Sequence, residues 1–161
     1  MVEKIPMEGV KVVGELVRLN VGNPFLRQEA MADFLRGLAQ HRINMNLFIG
    51  GEEEEGIQFS WCVAAADESR VRNLTGSMSD LKERIQFYTP VDLLSVFPHQ
   101  FNLKVLGLVL MAFARAQVPV YGFCSSLSTI TFITDHIHSE RALAVLGDCF
   151  ELPIRSPRIS C

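Results

Sequence analysis

The sequence predicts an α+β protein built from two tandem copies of one βαββαβ module. Three observations predict it. Short stretches of period-two alternation bounded by turn residues interchange with stretches of helical spacing. The order strand, helix, strand, strand, helix, strand then runs through twice. Individual positions also correspond: displaced by 75 residues, Leu38-Ala39 falls on Phe113-Ala114 and Phe48 on Phe123, and displaced by 73, Ile57 and Phe59 fall on Ile130 and Phe132. The drop of two is absorbed by a longer acidic hairpin in the first copy. Repetition of a whole supersecondary unit outweighs any single short motif.

The elements of the first copy follow in order. Residues 14–21 (GELVRLNV) alternate as a half-buried strand does, and Asn23-Pro24 breaks the run. Residues 26–41 form a helix, because Leu26, Ala30, Phe34 and Leu38 recur on one face with Met31 and Leu35 beside them. Strands follow at 44–49 and 57–64, joined by Gly50-Gly51 and four glutamates at a solvated hairpin tip. Asp67 is the expected N-cap of a second helix, with Glu68 in its first turn and Gly76 at its end. Residues 85–88 are a short fourth strand.

The second copy repeats the order. A strand at 93–97 precedes a helix at 103–117, and strands at 118–124 and 129–134 (TITFIT) form a hairpin of β-branched and aromatic residues. Residues 139–150 are the last helix, with Ser139 as a candidate cap. The C-terminal segment 152–161 carries two prolines and has room only for a short last strand or edge segment. The expected modules are therefore 10–90 and 91–155, with a tail at 156–161. The βαββαβ order is that of the ferredoxin-like split unit, an antiparallel sheet with helices on one face. Modules this small bury a limited share of their surface, so the pair is expected to share a core or to meet a second chain.

The two first helices differ. The one in the first copy has a polar face (Arg27, Gln28, Asp33, Arg36, Gln40), whereas residues 105–114 (VLGLVLMAFA) are apolar nearly all round. A helix without a solvated face is buried on more than one side. Packing against the other module or another subunit is the first reading of that stripe; lining a ligand cavity is the second.

Composition excludes several classes of function. The 161 residues are 48% hydrophobic and 20% charged, which fits a globular chain. A formal net charge of -3 without a Lys/Arg cluster argues against nucleic acid. The longest apolar run, 105–114, is about half the ~20 residues of a membrane span, and no signal core follows the N-terminus, so neither membrane nor secretion is expected. Cys62, Cys124, Cys149 and Cys161 lie far apart, as reduced thiols do in a cytoplasmic protein.

Three segments identify a resemblance. Leu38-Ala39 through Arg42-Ile43-Asn44-Met45-Asn46 resembles the helix end and "xINI" strand of the first ACT unit of aspartokinase. Gln117-Val118-Pro119-Val120 leading to Cys124-Ser125-Ser126 resembles the strand that ends in "STS" in that family, and residues 142–152 (ALAVLGDCFEL) resemble its final helix, of the type "AARALHEQFQL". The resemblance spans residues 12–152, and it is to the regulatory region of aspartokinase without its catalytic kinase domain. It implies a non-catalytic, dimeric protein whose ACT units bind a small molecule, an amino acid such as lysine or threonine, at their interfaces, and whose partner is aspartokinase or another enzyme of amino-acid metabolism. The family's binding groups lie in the turn before the first helix and on the strand after it. Here those positions are Asn23, Pro24, Phe25, Asn44, Met45 and Asn46 in the first copy, and Gln100, Phe101, Asn102, Ser125 and Ser126 in the second. A helix N-terminus suits a carboxylate, since its backbone N–H groups are unpaired. The Pro-Gly usual in the family's turn is missing: aligned without a gap, its positions hold Gln28-Glu29 and Leu103-Lys104. Either the ligand differs from the usual amino acids, or one or both sites are lost and a ligand-free pairing module remains.

Other chemistries are weaker. Gly122-Phe123-Cys124-Ser125-Ser126 has the outline of a nucleophile elbow, but it leads into a strand and no base is indicated. His136-Ile137-His138 sets two imidazoles on one side of an extended segment without a third metal ligand. Trp61 is expected in the core. Neither a catalytic residue, a metal nor a cofactor is expected.

Overall fold

The computed structural model describes residues 4–21, 28–53, 56–97 and 103–152, and for residues 28, 52, 53, 56, 57 and 89 the backbone alone. Its elements are β1 (Ile5–Pro6), β2 (Gly9–Val21), α1 (Gln28–Gln40), β3 (Met45–Glu53), β4 (Gly56–Ala64), α2 (Glu68–Gly76), β5 (Ile85–Phe97), α3 (Leu103–Arg115), β6 (Gly122–Ser125), β7 (Ile130–Asp135), α4 (Ser139–Cys149) and β8 (Phe150–Glu151). They form an α+β fold of two compact units. The inserted unit is Glu15–Pro90, and the split unit takes the described residues up to Gly14 and from Val91 onward. This division differs from the boundaries read in the sequence, which placed residues 10–14 in the first module.

In the inserted unit the strand order is β3-β4-β2-β5. β4 runs antiparallel to both β2 (Leu19↔Trp61) and β3 (Phe48↔Trp61). One face of these strands carries Val17, Leu19, Val21, Trp61 and Val63, and α1 lays Ala30, Met31, Phe34 and Leu38 on it. Phe34 meets Trp61 at 5.1 Å between ring centres, tilted by 48°. Each such large buried side chain contributes about 1.5–3 kcal/mol relative to exposure. The other face is polar: Ser60 Oγ donates to Asn20 Oδ1 at 2.8 Å, and the Arg18 guanidinium lies 4.6 Å from the Tyr88 ring centre.

In the split unit the order is β2-β5-β7-β6, with β7 antiparallel to β5 (Leu94↔Phe132) and to β6 (Phe123↔Phe132). The chain order β5-α3-β6-β7-α4 lacks a fourth strand of its own. Gly9–Gly14 of β2 fills that place, and Met7 and Val10 join its core with Leu94, Val96, Val109, Phe113 and Phe132. β8 is only two residues long and pairs in parallel with β1 (Ile5↔Phe150). Each unit has its own core cluster, drawn from its own residues.

Several boundaries also differ from the sequence reading. β5 is one strand through Pro90, not two. β6 starts at Gly122 rather than Val118, because the Val118 N–H is spent on the Phe113 carbonyl (2.9 Å) and Pro119 has none. Asp67 occupies the N-cap position of α2 but gives its carboxylate to Arg70 and caps no backbone N–H. Ser139 lies within the first turn of α4; the cap one turn earlier is Asp135, which accepts the His138 N–H at 2.9 Å.

The repeat is most visible where the first helix of each unit ends. Arg42 and Gln117, 75 positions apart, both take a left-handed φ of 54°. Ile43 N–H donates to Leu38 O and Val118 N–H to Phe113 O, each at 2.9 Å. These are the six-to-one bonds of a Schellman ending, made here without the usual glycine.

Candidate ligand-binding site

The residues nominated from sequence fall into three groups. Asn23, Pro24, Phe25, Gln100, Phe101 and Asn102 lie outside the described residues. Asn44, Met45 and Asn46 are exposed at the start of β3. The ladder slips between Met45↔Val63 and Leu47↔Cys62, so Asn46 is the extra residue of a bulge. A bulge at the rim of a sheet turns a side chain away from the regular alternation, and it places two carboxamides, those of Asn44 and Asn46, around the end of an edge strand. Carboxamides both donate and accept, which suits a zwitterion's carboxylate and ammonium.

Ser125 and Ser126 sit at the opposite end of the corresponding strand, in the β6–β7 hairpin. Ser126 N–H donates to Thr129 O at 2.9 Å, Ser126 Oγ lies 3.3 Å from the same carbonyl, and Thr129 N–H donates to Ser126 Oγ at 3.2 Å. Ser126 thus closes the turn. The positions equivalent to Asn44–Asn46 are instead Pro119, Val120 and Tyr121, where the Tyr121 hydroxyl reaches Asp135 Oδ2 at 3.2 Å. Within their own units the two nominated strand segments are not equivalent.

Cys124, His136 and His138 are engaged. Burial pushes the Cys124 thiol up, against the lowering effect of its hydrogen bonds with Thr131, so it is not the activated thiolate an elbow needs. His136 and His138 lie in a 3-10 turn between β7 and α4, not in an extended segment. His136 Nδ1 is 3.1 Å from both oxygens of Asp92, whose side chain is 4% exposed, and His138 Nδ1 is 2.6 Å from Asp135 Oδ1. The described residues hold no group of three His, Cys, Asp or Glu side chains placed to bind a metal ion.

Sequence reasoning ranked one feature second, a cavity lined by the apolar stripe of α3. The outward half of α3 and the adjacent side of α4 enclose a groove of about 500 Å³ within the split unit. Its walls are apolar (Leu108, Met111, Ala112, Val145), with Lys4, Arg115 and Asp148 among its polar groups. The signal was present as the all-apolar α3, but periodicity does not say how much of that face is left open. In the structure Val105, Val109 and Phe113 point inward while Met111 is 57% exposed.

The regulatory subunit of aspartate kinase from Thermus thermophilus superposes with a TM-score of 0.79, covering 90% of this chain and 99% of that one at 16% identity. The corresponding subunit from Thermus flavus gives a TM-score of 0.76, with 91% and 99% covered at 15% identity. The fold is that of an aspartate kinase regulatory subunit. It is the two-unit ACT architecture that the sequence resemblance implied, with one unit inserted in the other. The aspartate kinase of Synechocystis matches over 96% of this chain but only 28% of its own length, at 13% identity and a TM-score of 0.79. No family model matches the sequence, and no curated protein is significantly similar to it. No helix among the described residues is long and apolar enough to cross a membrane.

Proposed function

We propose that this chain is a non-catalytic regulatory protein that binds an amino acid through its ACT units and acts as a dimer on an enzyme of amino-acid metabolism, aspartate kinase being the first candidate. The observation that carries the reading is that the match spans nearly the whole of chains that are themselves regulatory subunits, 99% of each Thermus protein. The exposed carboxamides at the β3 bulge are the first candidate contacts, because they offer neutral hydrogen-bonding groups beside an open strand edge. Regulation follows if the ligand prefers one packing of the units over another, since a ligand shifts an equilibrium only by its difference in affinity.

The test is thermal denaturation of the full chain against each of the twenty amino acids. A ligand present at one hundred times its Kd adds about 2.7 kcal/mol of stability, a rise of roughly 5–10 °C for a chain of this size. The absence of a shift with any of them would refute amino-acid sensing.

One observation favours a pairing role in addition. β3 and β6 end the strand order of their units, and both carry exposed aromatics, Phe48 and Phe123. Open edges with apolar side chains recruit another strand. Replacing Phe123 with Lys is expected to shift the chain toward monomer in light scattering, with no effect of amino acids needed; an unchanged mass would refute this use of the edge.

A further inference from the structure

We propose that the groove between α3 and α4 of the split unit is a binding site for an apolar α-amino acid. The inference rests on the reading of the chain as an amino-acid-binding protein and gives that binding a place other than the strand edges. A volume of about 500 Å³ is that of a small-molecule site. The floor of Leu108, Met111, Ala112 and Val145 takes an aliphatic or aromatic side chain. Around it stand two cations and one carboxylate. Lys4 donates to the Gly147 carbonyl at 2.7 Å, which holds the segment before β1 against α4. Arg115 and Asp148 line the same groove, and neither forms an ion pair or hydrogen bond within the described residues. Arg115 fits a carboxylate through its planar fork and Asp148 fits an ammonium. Both signs of charge beside an apolar floor match a zwitterion with a greasy side chain better than they match a simple anion or a sugar.

The repeat shows that this face is not a demand of the fold. Displaced by 75 residues, Leu108 corresponds to Asp33, Met111 to Arg36 and Arg115 to Gln40. In the inserted unit Asp33 and Arg36 form an exposed ion pair at 3.3 Å. The same helix position in the same architecture is thus content with solvated charge. An apolar Met111 that is 57% exposed in the other copy is a departure that sheet packing does not require.

The experiment is calorimetric titration of the full chain with L-leucine, L-methionine and L-phenylalanine, and with 4-methylpentanoate, which is leucine without its amino group. At least one of the amino acids is expected to bind at one site per chain. Filling the floor with Ala112→Phe and reversing the fork with Arg115→Glu should each weaken it tenfold or more; the exposed Arg115 variant keeps the test valid if the first fails to fold. Asp148→Asn should reduce the preference for leucine over 4-methylpentanoate. Saturation should also slow alkylation of Cys149, a groove residue, as mapped by mass spectrometry, without slowing Cys124. Binding that is unaltered in every groove variant overturns the site and leaves amino-acid sensing standing. Failure of all twenty amino acids to bind overturns both.

Discussion

The Asp92–His136 pair offers a sharp test of how the split unit tolerates a buried carboxylate. Asp92 lies on β5 with its side chain 4% exposed, and His136 is its one side-chain partner among the described residues. Gly14 makes room for it: a Cβ there would stand 3.2 Å from Asp92 Oδ1. The equivalent position in the inserted unit is Val17, fully buried. Removing the partner and removing the charge should therefore differ in sign. His136→Ala leaves the carboxylate buried and unpaired, which for a fully buried pair costs about 3–5 kcal/mol. The imidazole is 55% exposed, so water replaces part of what it supplied. The expected loss is about 2 kcal/mol, or roughly 4–8 °C in Tm. Asp92→Val removes the charge itself and restores the residue of the other copy; it should be neutral or stabilising by about 1 kcal/mol. In the Asp92→Val background the cost of His136→Ala should shrink, a coupling of at least about 1 kcal/mol. Denaturant unfolding of the four proteins measures the cycle. Equal cost of His136→Ala in both backgrounds would refute the reasoning, as would an Asp92→Val protein less stable than His136→Ala.

Two further outcomes follow from the fold. Burial pushes the Cys62 thiol from its ordinary 9.0 up to about 12, with Arg18 opposing. The folded chain keeps a proton that the unfolded chain gives up, so this contribution is intact below pH 9 and is lost as pH rises toward 12, by at most about 1.4 kcal/mol per pH unit. Cys62→Ala should accordingly lose less stability than the parent between about pH 8 and pH 10.5, and an identical loss would contradict the assignment. Arg42→Gly and Gln117→Gly relieve left-handed backbone at the two helix ends and should each raise stability by about 0.5–1 kcal/mol, after the added freedom of the unfolded chain is counted. A fall in both midpoints would show that those side chains hold contacts of greater worth.

Helix stripes and hairpins were legible because their periods are set by burial. Ala30, Met31, Phe34 and Leu38 recur at helical spacing, and all four are buried where that spacing put them. The exchange of strands was not legible. Residues 9–14 (GVKVVG) carry too few alternations to be separated from the strand that continues them, and nothing local marks Glu15, at φ 57°, as the point where the chain changes unit. Residues 85–88 and 93–97 read as two strands, yet a single strand passes through Pro90, as it can where no ladder N–H is needed. The capping bonds were not legible for a similar reason. Asp67 and Ser139 have the right chemistry near the right place, and competition with Arg70 and Asp135 is a matter of geometry that spacing does not encode. Of the nominated binding residues, Asn44–Asn46 reach an exposed strand end, Ser126 is consumed in closing a hairpin, and the α3–α4 groove was visible only as excess apolarity.

The placement of Gly9–Gly14 in the split unit also sets a timetable for synthesis. When the ribosome has released residue 90, the inserted unit holds every strand and helix it needs. The residues before Glu15 are by then already outside, yet their partners on β5 and α4 are not. At about 5–20 residues per second, the stretch from Val91 to Leu152 takes roughly 3–12 s to emerge. Through that interval the early segment, with Met7 and Val10 destined for a core, has to wait unsatisfied beside a finished neighbour. Pairing over a separation of more than half the chain is slow to close. A nascent chain stalled after residue 90 should therefore protect Glu15–Pro90 from protease while leaving its own first residues open to cleavage.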